Sequence, residues 1–309
     1  MDADWPMVGI RFALYGVLGG LFGLSAFSLY GLRAGERTGA LALRPWLVAS
    51  AIAGLLLSVV ALALLAAAMA GTPPWAADHD AIGMLLDQPG LGTAWKVRMG
   101  ALAVGAIAAL FAAGRPLWLS VVALASGVAL STLAWTGHGA MEEGATGWIH
   151  LTADILHLIA AGAWTGALLG LLLLVMRPER RIDAAHLALT HRALHGFGTV
   201  GTVVVATLVV TGLVNAWFLV GPDNIAALGT TLYGQLLLAK LVLFAAMLGL
   251  AALNRFRLTP RFEESLAAAD HGGAIGVLRR SLAVETACVI IILGLVAWLG
   301  TLQPPASMM

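Results

Sequence analysis

The chain has 309 residues, 60% hydrophobic and 11% charged, with a formal net charge of +1. Its repeated apolar runs of about 20 residues match the thickness of a bilayer, so lipid rather than a water-soluble core must solvate them. No enzymatic activity and no nucleic-acid partner are expected of such a chain, and its one cysteine, Cys288, excludes an intramolecular disulfide or a cysteine-cluster metal site. Taken in order, the apolar runs predict eight spans at roughly 8–32, 46–70, 94–113, 117–137, 149–176, 193–220, 231–254 and 277–302. The stretches between them are rich in Gly, Pro or charge, as in Gly71-Thr-Pro-Pro74, Arg177-Pro-Glu-Arg-Arg181 and Gly221-Pro-Asp-Asn224. The fold class is therefore an all-α polytopic membrane protein with eight transmembrane helices.

Span 1 follows Met1-Asp-Ala-Asp-Trp-Pro6, which lacks the basic start of a cleaved secretory signal, so span 1 is expected to remain in the mature protein. Basic residues cluster in alternate loops. Arg33, Arg37 and Arg44 lie between spans 1 and 2, and Arg115 between 3 and 4. Arg177, Arg180, Arg181 and Arg192 lie between or beside 5 and 6, and Arg255, Arg257, Arg261, Arg279 and Arg280 between or beside 7 and 8. By the positive-inside rule both termini and the loops 71–93, 138–148 and 221–230 face outward. Those loops carry acid instead, with Asp78, Asp80, Asp87, Glu142, Glu143 and Asp223.

Sliding the chain by 142 positions sets Tyr15 on His157, Gly20 on Gly162, Phe22 on Trp164, Gly92 on Gly234 and Arg98 on Lys240. Ala134-Trp-Thr-Gly137 and Ala297-Trp-Leu-Gly300 match at a larger offset, which a longer loop before span 8 accounts for. The reading is a four-plus-four tandem repeat, residues 1–137 and 138–309, forming one membrane domain. With four spans per unit the halves run the same way, related by an axis along the membrane normal.

In span 5, His150, Asp154 and His157 fall within roughly 60° of helical arc over a rise of about 10 Å. The first half has Phe12 and Tyr15 where the second has Asp154 and His157, so scaffold packing does not demand the polar stripe. A loop with His138, Met141, Glu142 and Glu143 precedes it. Ionisable groups inside a span are costly enough to need a partner, a cavity or a ligand. Imidazole suits copper, zinc and haem iron, thioether suits Cu(I), and a carboxylate orients imidazoles or holds harder ions. The candidate metal ligands are accordingly His138, His150, His157 and Asp154, arranged as a relay from the outer mouth inward; the competing role for Asp154 is an ion pair with Lys96, Arg98 or Lys240. Trp164, Lys240, Glu285, Glu142 and Met141 are candidate path residues, with Trp164 equally readable as packing. Arg11, Lys96 and Arg98 are placed to snorkel. Asp78-His79-Asp80 is a chelator-like triplet on a solvated loop, and His186, His191 and His195 read chiefly as solvated helix surface. Spacing alone does not choose copper over haem.

The segments Gly137-His-Gly-Ala140, Gly147-Trp-Ile-His-Leu-Thr-Ala-Asp-Ile-Leu-His157 and Ala163-Trp-Thr-Gly166 resemble the copper resistance protein D (CopD) family. So do Phe197-Gly-Thr199, Thr211-Gly-Leu-Val-Asn215, Thr231-Leu-Tyr-Gly-Gln-Leu-Leu-Leu-Ala-Lys240 and Ala252-Leu-Asn-Arg-Phe-Arg-Leu-Thr-Pro260. Spans 3 to 8 carry the resemblance; Tyr15 stands where it would place a histidine. It implies a bacterial inner-membrane protein that moves copper from periplasm to cytoplasm, beside a separate periplasmic copper-binding C-type protein. Copper, as Cu(I) or Cu(II), is the expected ligand. The competing functions are a membrane redox protein holding haem b on the same histidines, and a non-transporting anchor or sensor.

Overall fold

The computed structural model describes residues 4–37, 41–73, 76, 78–112, 114–137, 144–177, 184–258, 260 and 272–308. The described residues form helices with no strand: α1 (Trp5–Gly31), α2 (Leu43–Ala70), α3 (His79–Asp87), α4 (Leu91–Phe111), α5 (Pro116–Ser131, prolonged by a 3-10 turn Thr132–Thr136), α6 (Gly144–Val175), α7 (Ala184–Leu219), α8 (Ala227–Thr230), α9 (Leu232–Leu253) and α10 (Gly272–Leu299). Eight of these segments are long and apolar enough to cross a membrane. They match the spans expected from the sequence; α6, α7 and α10 begin earlier than expected, at Gly144, Ala184 and Gly272.

α1 and α6 sit at the centre of the bundle. They run parallel, as three successive contacts show. Gly19 faces Gly162, Gly23 faces Gly166 and the Phe27 ring covers Gly170. A methyl on Gly23 would lie 2.8 Å from Cα of Gly166, and one on Gly166 would overlap the backbone of Gly23 and Leu24, so only glycine permits this approach. Close backbone contact between small residues is the usual glue of helices in lipid, where burial of apolar side chains adds little. Around this seam α1 packs on α2, α5 and α10, and α6 on α7, α10 and α5.

Gly92 and Gly234 have matching tasks at the starts of α4 and α9. A methyl on Gly92 would lie 2.7 Å from the carbonyl oxygen of Leu85 in α3, and one on Gly234 would lie 2.6 Å from that of Leu228 in α8. Each glycine lets the short helix before its span fold back onto the first turn. α3 buries Ala81 and Leu85 against Leu62 and Ala66 of α2. Asp78 caps α3, accepting from the backbone N–H of Asp80 at 2.9 Å and of Ala81 at 3.1 Å. One member of the chelator-like triplet is therefore a helix cap.

Arginines finish the helix ends on the other side of the bundle. Arg37 donates to the carbonyls of Ser28 and Leu29 at 3.0 and 2.9 Å, and Arg279 to those of Val175 and Arg177. Cations there satisfy orphan carbonyls and the negative end of the helix dipole. Glu36 and Arg192 form an ion pair between the turn after α1 and α7.

Candidate functional site

The stripe on α6 meets a matching stripe on α7. His150, 1% exposed, stacks on Phe218 with ring centroids 4.8 Å apart and planes 10° apart. Asp154 Oδ1 accepts a hydrogen bond from Asn215 Nδ2 at 2.7 Å. His157 Nδ1 lies 2.8 Å from Thr211 Oγ1. Positions 150, 154 and 157 thus meet 218, 215 and 211 in antiparallel order, and both sets repeat at the three- and four-residue steps of a helix face.

The Thr211 contact fixes a proton. The hydroxyl has one hydrogen and donates it to the carbonyl of Thr207 at 2.6 Å, so toward His157 it presents a lone pair. His157 Nδ1 must then carry the N–H, which leaves the lone pair of the neutral ring on Nε2. The hydrogen bond seen for this ring among the described residues is the one at Nδ1. An imidazole oriented by an outer acceptor with its other nitrogen free is the usual state of a metal-ligating histidine. Cε1 of His157 lies against Gly212, where an added methyl would sit 3.7 Å away.

Asp154 makes no ion pair within 4 Å among the described residues; Lys240, Tyr233 and His150 lie within electrostatic reach of it, and Lys240 also reaches His157. Arg98 is not its partner. That guanidinium is 2% exposed and donates from Nε to Thr132 Oγ1 at 2.8 Å and from a terminal nitrogen to the Thr132 carbonyl at 3.2 Å. Arg11 donates to the carbonyls of Gly300 and Thr136. Both arginines are therefore held by groups at the ends of α5 and α10. Lys96 is exposed, as snorkelling requires.

Deeper in the bundle, Glu285 is 1% exposed and accepts a hydrogen bond from Asn254 Nδ2. Asn254 opens a π-helical turn, Asn254–Leu258, that follows α9; such turns often sit at functional positions. Trp164 is buried edge-on against Phe197, centroids 5.5 Å apart, and acts as packing. His186 corrects the solvated-surface reading: it is buried, with Nε2 2.9 Å from the Leu174 carbonyl, because α7 starts early enough to pack on the end of α6. His191 and His195 lie with ring centroids 6.4 Å apart.

His138, Met141, Glu142 and Glu143 lie outside the described residues. Among the described residues no three His, Cys, Asp or Glu side chains gather into a closed metal cage. A cavity of about 930 Å³ opens beside the stripe. Gly147, Trp148 and Leu151 of α6 help to line it, and none of His150, Asp154 or His157 does.

Comparison with known proteins decides the family. Residues 1–148 match the "Copper resistance protein D-like, N-terminal domain" and residues 191–299 match "Copper resistance protein D". The chain is 46% identical over 300 residues to the copper resistance protein D of Pseudomonas syringae pv. tomato, covering 96% of each. It belongs to the copper resistance protein D family. Over 173 residues, 56% of this chain and 55% of the other, it is 34% identical to inner membrane protein YebZ of Escherichia coli (strain K12). Over 121 residues, 39% of this chain and 21% of the other, it is 33% identical to copper transport protein CutJ of Bacillus subtilis (strain 168). No solved structure matches it. With eight apolar spans, this family member is a multi-pass membrane protein.

Proposed function

We propose that this protein carries copper across the bacterial inner membrane, from periplasm to cytoplasm, along the interface of α6 and α7. The relatives named for copper resistance, copper transport and the inner membrane narrow the cargo and the place. The observation that carries the reading is His157, whose Nδ1–H is held by Thr211 so that Nε2 presents a lone pair. His150 and His157 lie two helical turns apart, too far to close on one ion, which suits a hand-off better than tight storage. His138, Met141 and Glu142 are assigned to the outer mouth of this path. Asp154, held by Asn215, supplies negative charge midway, while Lys240 and Glu285 shape the inner exit. Copper is substrate here, passed on from a periplasmic copper-binding C-type partner, and both termini face the periplasm.

Haem b on the same histidines is the second reading; His150 and His157, two turns apart on one helix face, cannot both be its axial ligands, so it would draw on His138. Metal analysis and a visible spectrum of the detergent-purified protein separate the readings. We expect bound copper without a Soret band, and copper retention lost in a His150→Ala/His157→Ala double variant that still folds. A Soret band, or copper retention unchanged in that variant, overturns the assignment.

A further inference from the structure

The cavity of about 930 Å³ beside the stripe has walls from α1, α2, α4, the 3-10 end of α5, the start of α6 and Thr301 beyond α10. It has two features that the copper path does not use. One is a pair of guanidiniums, Arg11 and Arg98, both on its wall. Their hydrogen bonds go to Thr132, Thr136 and Gly300, and among the described residues neither meets a carboxylate. The acid on the wall, Asp4, is exposed at the mouth and accepts from the backbone N–H of Met7. The second feature is that most of the remaining lining is apolar or aromatic, including Tyr15, Trp95, Trp135 and Trp148.

Among the described residues neither Arg98, which is buried, nor Arg11, which is half-buried, meets a carboxylate, and carbonyl oxygens offset only part of the cost of holding cations among apolar walls. A bound anion offsets the rest. Guanidinium favours phosphate, which it grips through paired N–H groups. The carbonyls that anchor the two arginines are four residues apart on a 3-10 turn, about 8 Å. A phosphate group, free or esterified, can be gripped from both sides across such a span. The volume favours the esterified form, being at the upper end of sites for drug-sized ligands and far more than inorganic phosphate fills.

We propose that this cavity binds an anionic phospholipid, its phosphate between Arg11 and Arg98 and its glycerol and upper acyl carbons against the indoles and the face of α2. The full chain in detergent, titrated with phosphatidylglycerol or phosphatidylcholine and read by native mass spectrometry, tests this. Phosphatidylglycerol should be retained at least about ten-fold better, the scale of a lost charge-assisted contact. An Arg11→Gln/Arg98→Gln variant should fall to the phosphatidylcholine level. Ala61→Phe, which narrows the cavity from α2 and leaves both arginines in place, should also lower retention. An excess of inorganic phosphate should leave the lipid bound. Equal retention of the two lipids, undiminished retention in the double glutamine variant or in Ala61→Phe, or displacement by inorganic phosphate each overturns the proposal, the last in favour of a free anion.

Discussion

A single hydroxyl decides which nitrogen of His157 is available, and this makes Thr211 the sharpest residue-level test of the copper path. Thr211→Val keeps the shape but removes the acceptor, so Nδ1 loses the group that orients the ring. Copper affinity should fall by about ten-fold, the scale seen when a ligand's support is lost, while Thr211→Ser should bind as the parent does; competition with a chelator measures both. Equal affinity in the valine variant would detach Thr211 from the site. The stripe on α6 was legible in the sequence because two histidines and an aspartate stand out at helical spacing in an apolar run. Its partner on α7 was not, although Thr211, Asn215 and Phe218 have the same spacing. Neutral residues carry no obvious burial cost, and periodicity within one helix does not say which helix it faces. The partners of Arg11 and Arg98 are hidden for a related reason: they are mostly backbone carbonyls at the ends of other helices, which no side-chain pattern reveals.

At the scale of elements, hydropathy located all eight spans but misplaced the starts of three helices, α6, α7 and α10, since it reports where lipid ends rather than where the helix does. The segment Ala184-Ala-His-Leu-Ala-Leu-Thr-His-Arg192 is polar enough to leave the membrane yet has no Gly or Pro to stop α7. The crossing of α1 and α6 gives a clear test. Gly166→Leu must drive a side chain into the backbone of Gly23 and Leu24, whereas a methyl on Gly20 meets nothing within 4 Å. Gly166→Leu should cost about 1–3 kcal/mol or more and Gly20→Ala well under that, read as unfolding midpoints in detergent. Equal midpoints would mean the seam opens at little cost. A four-plus-four repeat predicts that the two halves superpose with Tyr15 on His157 and Gly92 on Gly234; halves that do not superpose so remove it.

For the molecule as a whole, the parallel course of α1 and α6 requires an even number of crossings between their starts, which α1, α2, α4 and α5 supply if each crosses once. Together with the arginine-bearing loops, this predicts that reporters fused to either terminus read as periplasmic; a cytoplasmic signal at the C-terminus would remove one span. The contact between the two central helices has a wider consequence. At Gly19, Gly23, Gly162 and Gly166 it is made of main chain, so it places no demand on what the neighbouring side chains are. Phe12 and Tyr15 on one helix and Asp154 and His157 on the other are free to diverge without loosening the join. A seam of bare backbone allows one half to acquire a new chemistry while the other keeps its own, with no compensating change across the boundary.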